Sequence, residues 1–373
     1  MRLAATGGGT GGHVYPALSI VTALRERLAE RGLGDLDVLY IGSNGGLEEG
    51  IVKRAGLSFR TTPSGAVVGR SPLKVATNLA LTSAGVVASW RILRQFRPMV
   101  LLATGGYVTV PVVLAARLAV VPSLIYLPDV VPGLAVRFLA RFADRVAVTF
   151  AETGRHLPAG KAVATGYPVR PELFAVEQAA SRRRLGLSAE LPVVVALGGS
   201  RGSRTINEAV RVAWAELLPL CQVVHVAGLL DEPWLQREAR ALPSELAQRY
   251  HVYAYLHEEL PHVLGAADIV VSRAGASVMG EYPAVGVPSV LVPYPYAGAH
   301  QRLNAARLVE AGASVMLEDE ALASGALGHV LRELLVDGGR RAEMRRAAQR
   351  LARPNAARDI AELLITLAER KAA

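Results

Sequence analysis

DIVVSRAGASVMGEYPAVGVPSVLVPYPYAGAHQRLN, residues 268–304, is the stretch that decides the fold. Asp268-Ile269-Val270-Val271 reads as a buried strand, Gly275 as a sharp turn, and a helix begins near Ser277. A second buried strand follows at 288–292, so the stretch is strand, turn, helix, strand, the unit of a parallel sheet. Unpaired N–H groups at such a helix start, together with the helix dipole, favour an anion. Glu281 lies one turn deeper on about the same face. A carboxylate there repels phosphate but accepts hydrogen bonds from paired hydroxyls, as a ribose offers. A nucleoside diphosphate would sit with its diphosphate at the helix tip and its ribose along the flank. His300, Gln301 and Asn304 fall just past a strand end, where open α/β sheets bind ligands. An ordinary β-turn-α unit with an exposed Glu281 reads the same residues equally well.

The same pattern runs through the rest of the chain. Arg2–Thr6 is a short strand, followed by Gly7-Gly8-Gly9-Thr10-Gly11-Gly12 and then His13. So many glycines mean unusual φ values, close approach to a ligand, or both. Pro16 is expected to start a helix running to about Arg31, which leaves His13 at the end of the loop. The loop lacks the Lys-Ser/Thr of a P-loop, and no acid ends the next strand at 38–41, so a dinucleotide is disfavoured. His13 reads as a structural histidine or as a chemical one at a strand's C-terminal end. Further strands are expected at 58–62, 99–103, 123–127, 145–149 and 162–165, with helices between. Gly105-Gly106-Tyr107 makes another glycine turn directly after a buried strand.

Residues 166–171 carry two prolines around Arg170 and read as a stiff linker. The pattern then restarts with a strand at 193–197 and the loop Gly198-Gly199-Ser200-Arg201-Gly202-Ser203. Strands follow at 221–226, 250–254, 268–271 and 288–292. The expected domains are 1–165 and 166–353, with a C-terminal helix in 354–373 that returns to the first. Two such halves imply a cleft and a group transfer from a nucleotide donor to an acceptor.

Composition sets the outer limits. At 373 residues, 51% hydrophobic and 20% charged, two sizeable cores are available. Aromatics are only 5%, too few for platforms that stack single-stranded nucleic acid. The net charge of +9 suits an anionic membrane surface or a phosphorylated ligand, and the dispersed Arg and Lys disfavour nucleic acid. Cys221 is alone among apolar residues, as in a reducing compartment. No secretory signal is visible, and Gly105, Gly106 and Pro111 interrupt the longest uncharged run. Between Val67 and Leu93 an apolar segment has Arg70, Lys74, Arg91 and Arg94 at its flanks. It reads as a patch lying on an anionic bilayer or as a buried helix pair with solvated ends.

The motifs GGGTGGHVYPALS (7–19), ATGGYVTVP (103–111), GYPVR (166–170), GGSRGSRTIN (198–207), SRAGASVMGE (272–281) and AHQRLNAARL (299–308) resemble, in order, those of the MurG family. The resemblance covers nearly the whole chain. It implies a GT-B fold, two Rossmann-like domains with the sugar nucleotide in the C-terminal one. It implies an inverting transfer of N-acetylglucosamine from UDP-N-acetylglucosamine to a lipid-linked muramyl-pentapeptide, at the cytoplasmic face of the membrane. His13 matches the proposed base. Thr10, Gly11 and Gly12 match the loop that closes over the transferred sugar and acceptor diphosphate. Gly105, Gly106 and Tyr107 are assigned to the acceptor. Arg170 and Ser200 match donor contacts near the diphosphate, and Ala276, Ser277, Val278, Met279, Gly280 and Glu281 the phosphate-and-ribose segment. Gln301 matches a partner of the sugar hydroxyls, with Asn304 nearby, and His257 falls where a main-chain group reads uracil.

Two departures stand out. The usual His-Glu-Gln-Asn is Tyr126-Leu127-Pro128-Asp129, of which Asp129 can still accept from a sugar hydroxyl, and the usual GSQG is Gly199-Ser200-Arg201-Gly202. No DxD pair follows a strand and no His/Cys ligand spacing occurs, so neither a metal nor a cofactor is expected. A transferase for another lipid or glycan acceptor, and a UDP-sugar epimerase, remain as alternatives.

Overall fold

The computed structural model describes residues 1–65, 72–199, 202–256, 258–296 and 300–372. Ser200, Arg201, His257 and the start of the 67–93 patch lie outside the described residues. The chain divides into two compact units, Met1–Arg170 with Arg353–Ala373, and Pro171–Ala352.

The first unit is built on a seven-stranded parallel sheet. Its strands are β1 (Arg2–Thr6), β2 (Asp37–Ser43), β3 (Ser58–Thr62), β4 (Val100–Ala103), β5 (Ser123–Leu127), β6 (Arg145–Val148) and β7 (Ala162–Ala164). They lie in the order β3-β2-β1-β4-β5-β6-β7. All of β4 and β5 is buried, as expected of strands covered by helices on both faces. The order reverses between β1 and β4, where Thr6 pairs with Ala103. Ligands of open α/β sheets bind outside the strand ends at such a reversal.

The second unit repeats the plan with β8 (Val193–Leu197), β9 (Gln222–Val226), β10 (Tyr250–Tyr253), β11 (Ile269–Ser272), β12 (Ser289–Leu291) and β13 (Ser314–Met316). The order is β10-β9-β8-β11-β12-β13, so its reversal lies between β8 and β11, where Leu197 pairs with Ser272. Val194, Trp214 and Leu331 belong to its core, as does the buried Cys221, whose thiol burial pushes up to about 12.

Helix α1 (Gly11–Glu30) begins five residues before the expected start at Pro16. Pro16 lies inside it, and the His13 N–H already closes onto the Thr10 carbonyl at 3.2 Å. His13 therefore belongs to the first helical turn. Gly275 also differs from expectation. Its φ is not in the left-handed region and an added Cβ would meet nothing within 4 Å, so the turn there does not require glycine.

Helix α2 (Leu47–Arg54) follows β2. Helices α3 (Pro72–Phe96) and α4 (Thr109–Leu118) pack on one another. The α3 segment is not a buried helix pair. Gly85, Ser89 and Leu93 are covered, while Leu79, Leu81, Val87 and Trp90 are exposed. The last helix, Ala356–Ala372, belongs to the first unit, where Glu362 pairs with Arg27 and Arg31, and Arg358 with Glu30.

One buried network joins Asn207, His225, Asp231 and Tyr250 in the second unit. The Asn207 amide donates to the Ala227 carbonyl (2.8 Å) and to Asp231 (2.7 Å). Its carbonyl can only accept, so the His225 Nε2–H donates to it (2.9 Å) and Nδ1 accepts from the Tyr250 hydroxyl (2.8 Å). Burial drives the His225 pKa down to about 3. Between 3 and the ordinary 6.5 the unfolded chain takes up a proton that the folded chain refuses, so stability falls as pH drops through that window. Melting at pH 4 is expected to show a loss of about 3 kcal/mol against pH 7 from this group. His225→Asn should flatten that dependence, and an unchanged acid slope would contradict it.

Candidate functional site

In the first unit, three loops meet at the β1–β4 reversal. The His13 Nδ1 lies 2.9 Å from the Thr104 carbonyl oxygen, which can only accept. Nδ1 thus carries the proton and Nε2 keeps its lone pair. Thr104 is itself fixed, its hydroxyl donating to the His13 carbonyl (2.7 Å) and its N–H to the Thr6 carbonyl (2.9 Å). Burial is the largest influence on His13 and lowers its pKa, against the opposing charges of Asp129 and Glu48 and the Thr104 hydrogen bond. The ring is therefore neutral at pH 7, as a general base must be.

Gly105 has φ +117°, and a Cβ there would stand 2.6 Å from both Cε1 and Nδ1 of His13. Gly106, at φ +86°, backs onto the Gly8 carbonyl. Thr10 and Tyr107 are exposed, and Gly11 and Gly12 form the opening turn of α1. Arg170 stacks its guanidinium over Tyr15 of α1 at 5.4 Å. Asp129 is half-buried. The departure at 126–129 is mostly inward. Tyr126 and Leu127 are buried, and Tyr126 meets the Thr149 hydroxyl at 3.0 Å, which donates to the Pro128 carbonyl.

Sequence reasoning missed Glu48. It looked for an acid at the end of β2, whereas Glu48 reaches back to the same place from α2, accepting from the Ser43 N–H (2.8 Å) and the Gly9 N–H (3.3 Å). The signal was a turn, Asn44-Gly45-Gly46, followed by an acid two residues on. Thr104 was missed because its contact with the imidazole is a main-chain carbonyl, which any residue type supplies.

In the second unit, the helix Val278–Val285 follows β11. The N–H groups of Val278, Met279 and Gly280 turn back to the carbonyls of Gly275, Ala276 and Ser277 at 3.1, 3.2 and 3.0 Å. Val278 and Met279 are also buried. The donors at this tip are thus Gly275, Ala276 and Ser277, whereas the N–H groups of Val278, Met279 and Gly280 are already taken up by the helix. No hydrogen bond from those three N–H groups occurs among the described residues. Glu281 is half-buried on this helix. The Gln301 carbonyl oxygen accepts from the Tyr294 N–H (2.9 Å), and its amide NH2 has no partner among the described residues. Asn304 is only 1% exposed and donates to the Ala274 carbonyl (3.3 Å), so it steadies the turn before this helix from beneath. Among the described residues, no group of three His, Cys, Asp or Glu side chains is placed to hold a metal.

Residues 3–148 match the glycosyltransferase family 28 N-terminal domain and residues 193–364 the glycosyltransferase family 28 C-terminal domain. A protein of Roseiflexus sp. (strain RS-1), named UDP-N-acetylglucosamine--N-acetylmuramyl-(pentapeptide) pyrophosphoryl-undecaprenol N-acetylglucosamine transferase, is 43% identical over 100% of this chain and 96% of its own length. The chain belongs to the MurG family. A protein of the same name from Desulforudis audaxviator (strain MP104C) is 40% identical over 99% of each chain. The crystal structure of Acinetobacter baumannii MurG superposes with a TM-score of 0.72 at 24% identity, covering 98% of this chain and 99% of its own. A UDP-GlcNAc 2-epimerase from Neisseria meningitidis reaches a TM-score of 0.68 at 13% identity over 98% and 100%. At these identities both show fold alone. As a MurG family member the chain has the GT-B fold and is a glycosyltransferase.

Proposed function

We propose that this chain transfers N-acetylglucosamine from UDP-N-acetylglucosamine to the 4-hydroxyl of lipid-linked N-acetylmuramyl-pentapeptide, the reaction in the name of its full-length relatives. The observation that carries the chemistry is the neutral His13 with Nδ1 donated to Thr104 and Nε2 available. In this reading Nε2 takes the proton of the acceptor hydroxyl. The oxygen lone pair attacks the anomeric carbon in line, and the bond to the diphosphate breaks with inversion. The electron pair leaves on a β-phosphate oxygen of UDP. The N–H groups of Gly275, Ala276 and Ser277, with Arg170 and Ser200, meet that charge. Preorganised donors of this kind are commonly the largest catalytic term.

Asp129, Thr10, Gly11 and Gly12 lie with His13 in the first unit, so their part is to hold the sugar and the acceptor diphosphate around the base. Turnover with purified lipid-linked muramyl acceptor, undiminished by chelator and absent with diacylglycerol, is the expected result. Turnover with diacylglycerol alone, or loss of turnover on chelation, would overturn this assignment. Proton exchange into UDP-N-acetylglucosamine in heavy water without acceptor would instead mark an epimerase.

Glu281 is assigned to the ribose hydroxyls. Glu281→Ala is expected to weaken UDP binding roughly tenfold in calorimetry, the size of a hydrogen bond to a charged group. An unchanged affinity would remove Glu281 from the site.

The acceptor's lipid requires a membrane face. No helix among the described residues is long and apolar enough to cross a bilayer. The first unit exposes Val87 (50%), Trp90 (38%) and Leu118 (65%) beside Arg91, Arg94 and Arg117. An apolar surface with basic neighbours suits peripheral binding to anionic lipid at the cytoplasmic face. Sedimentation with vesicles containing an anionic lipid is expected to fall in Trp90→Ala/Arg94→Ala, and equal binding to neutral vesicles would argue against it.

A further inference from the structure

The Glu48 side chain is fully buried beneath the first glycine loop. A Cβ on Gly8 or Gly42 would come within 2.5 or 2.9 Å of Glu48 atoms, and one on Gly46 would also overlap its carboxylate. Three glycines from three segments thus shape a cradle around one carboxyl group. Its Oε1 accepts from the Ser43 N–H and hydroxyl, and its Oε2 from the Gly9 N–H. Burial alone would raise its pKa, but these donors outweigh burial and hold it below the usual carboxylate value. No ion-pair partner for it occurs among the described residues. A buried anion held only by N–H and O–H groups is expensive, and a structural role would be met as well by a neutral side chain.

The groups facing His13 are few. Asp129 approaches from the loop after β5 and Glu48 from α2. Tyr40 of β2 donates to the Gly7 carbonyl, and burial raises its pKa so that it stays neutral. Arg170 lies over Tyr15, two residues along α1.

We infer that Glu48 is a positioning residue for this transfer: its ionised carboxylate fixes the glycine loop through Gly9, and its charge steadies the imidazolium that His13 becomes on taking the acceptor's proton. The inference rests on the reading of His13 as the base.

Glu48→Gln keeps the volume and removes the charge. It is expected to lower kcat at least tenfold with little change in KM for UDP-N-acetylglucosamine, and to move the His13 midpoint, followed by NMR, downward. Glu48→Asp keeps the charge but withdraws it by one methylene. It should lose kcat through the loosened Gly9 contact while leaving the His13 midpoint close to that of the unaltered protein. A wild-type kcat in Glu48→Asp, or an unmoved His13 midpoint in folded Glu48→Gln, overturns the inference. If Glu48→Gln does not fold, the kcat of Glu48→Asp decides. The midpoint is read without turnover, so it stands apart from the outcome of the transfer assay itself.

Discussion

His13→Ala is expected to lower kcat by roughly a hundredfold or more, with KM for UDP-N-acetylglucosamine little changed. The imidazole is positioned by one hydrogen bond, Nδ1–H to the Thr104 carbonyl, which selects the tautomer that leaves Nε2 basic. Removing the ring removes the proton acceptor but leaves the second unit's donors intact, so binding and chemistry should separate. The pH profile gives a second check. Burial lowers the His13 pKa, so the catalytically competent neutral form persists below the ordinary histidine value of 6.5. The rate should therefore hold as pH falls through 6.5 and be lost only further into acid. A near-normal rate for His13→Ala, or an acid limb above 6.5, would remove His13 from the reaction.

Gly105→Ala should be nearly as damaging, although residue 105 touches no reacting atom. Its φ of +117° strains any side chain, and the added methyl would overlap the His13 ring at Cε1 and Nδ1. The ring must rotate or translate, and the hydrogen bond to Thr104 breaks. A displacement of about 1 Å at a catalytic group lowers the rate roughly a hundredfold. The backbone strain itself costs about 1–3 kcal/mol in stability, readable as a lower melting temperature. Gly56→Ala is the matched control. Gly56 also has a positive φ, +70°, but its Cβ would meet nothing within 4 Å. It should share the strain without the displaced ring. Equal kcat losses in the two variants would show that strain, rather than His13 geometry, sets the rate.

Much of this was legible in the sequence because parallel strands buried on both faces are short apolar runs between glycine turns. Val100-Leu101-Leu102-Ala103 before Gly105 is such a case. The strand β13 escaped notice because Ser314–Met316 is three residues long and carries too few apolar positions to register. The start of α1 was displaced because Pro16 looked like a first-turn proline, whereas two glycines and His13 already carry the helix. Gln301 and Asn304 were read alike as polar groups past a strand end. One has an amide NH2 with no partner among the described residues, while the other is buried under Ala274, a difference set by helix facing. Glu48 was out of reach for another reason. Its cradle needs Gly8 as well as the nearby Gly42 and Gly46, and Gly8 joins them only once β1 and β2 pair.

The return of the last helix to the first unit bears on how the molecule is made. Pro171–Ala352 is continuous in sequence, so the ribosome delivers every residue of that unit before the other is finished. The first unit begins synthesis earlier but waits for Ala356–Ala372, whose Glu362 and Arg358 clasp α1. At about 5–20 residues per second, the long stretch between leaves α1 without that clasp for roughly a quarter of a minute to a minute. Deletions at the extreme C-terminus should therefore harm the earliest part of the chain to emerge, and leave the middle part, Pro171–Ala352, competent to fold.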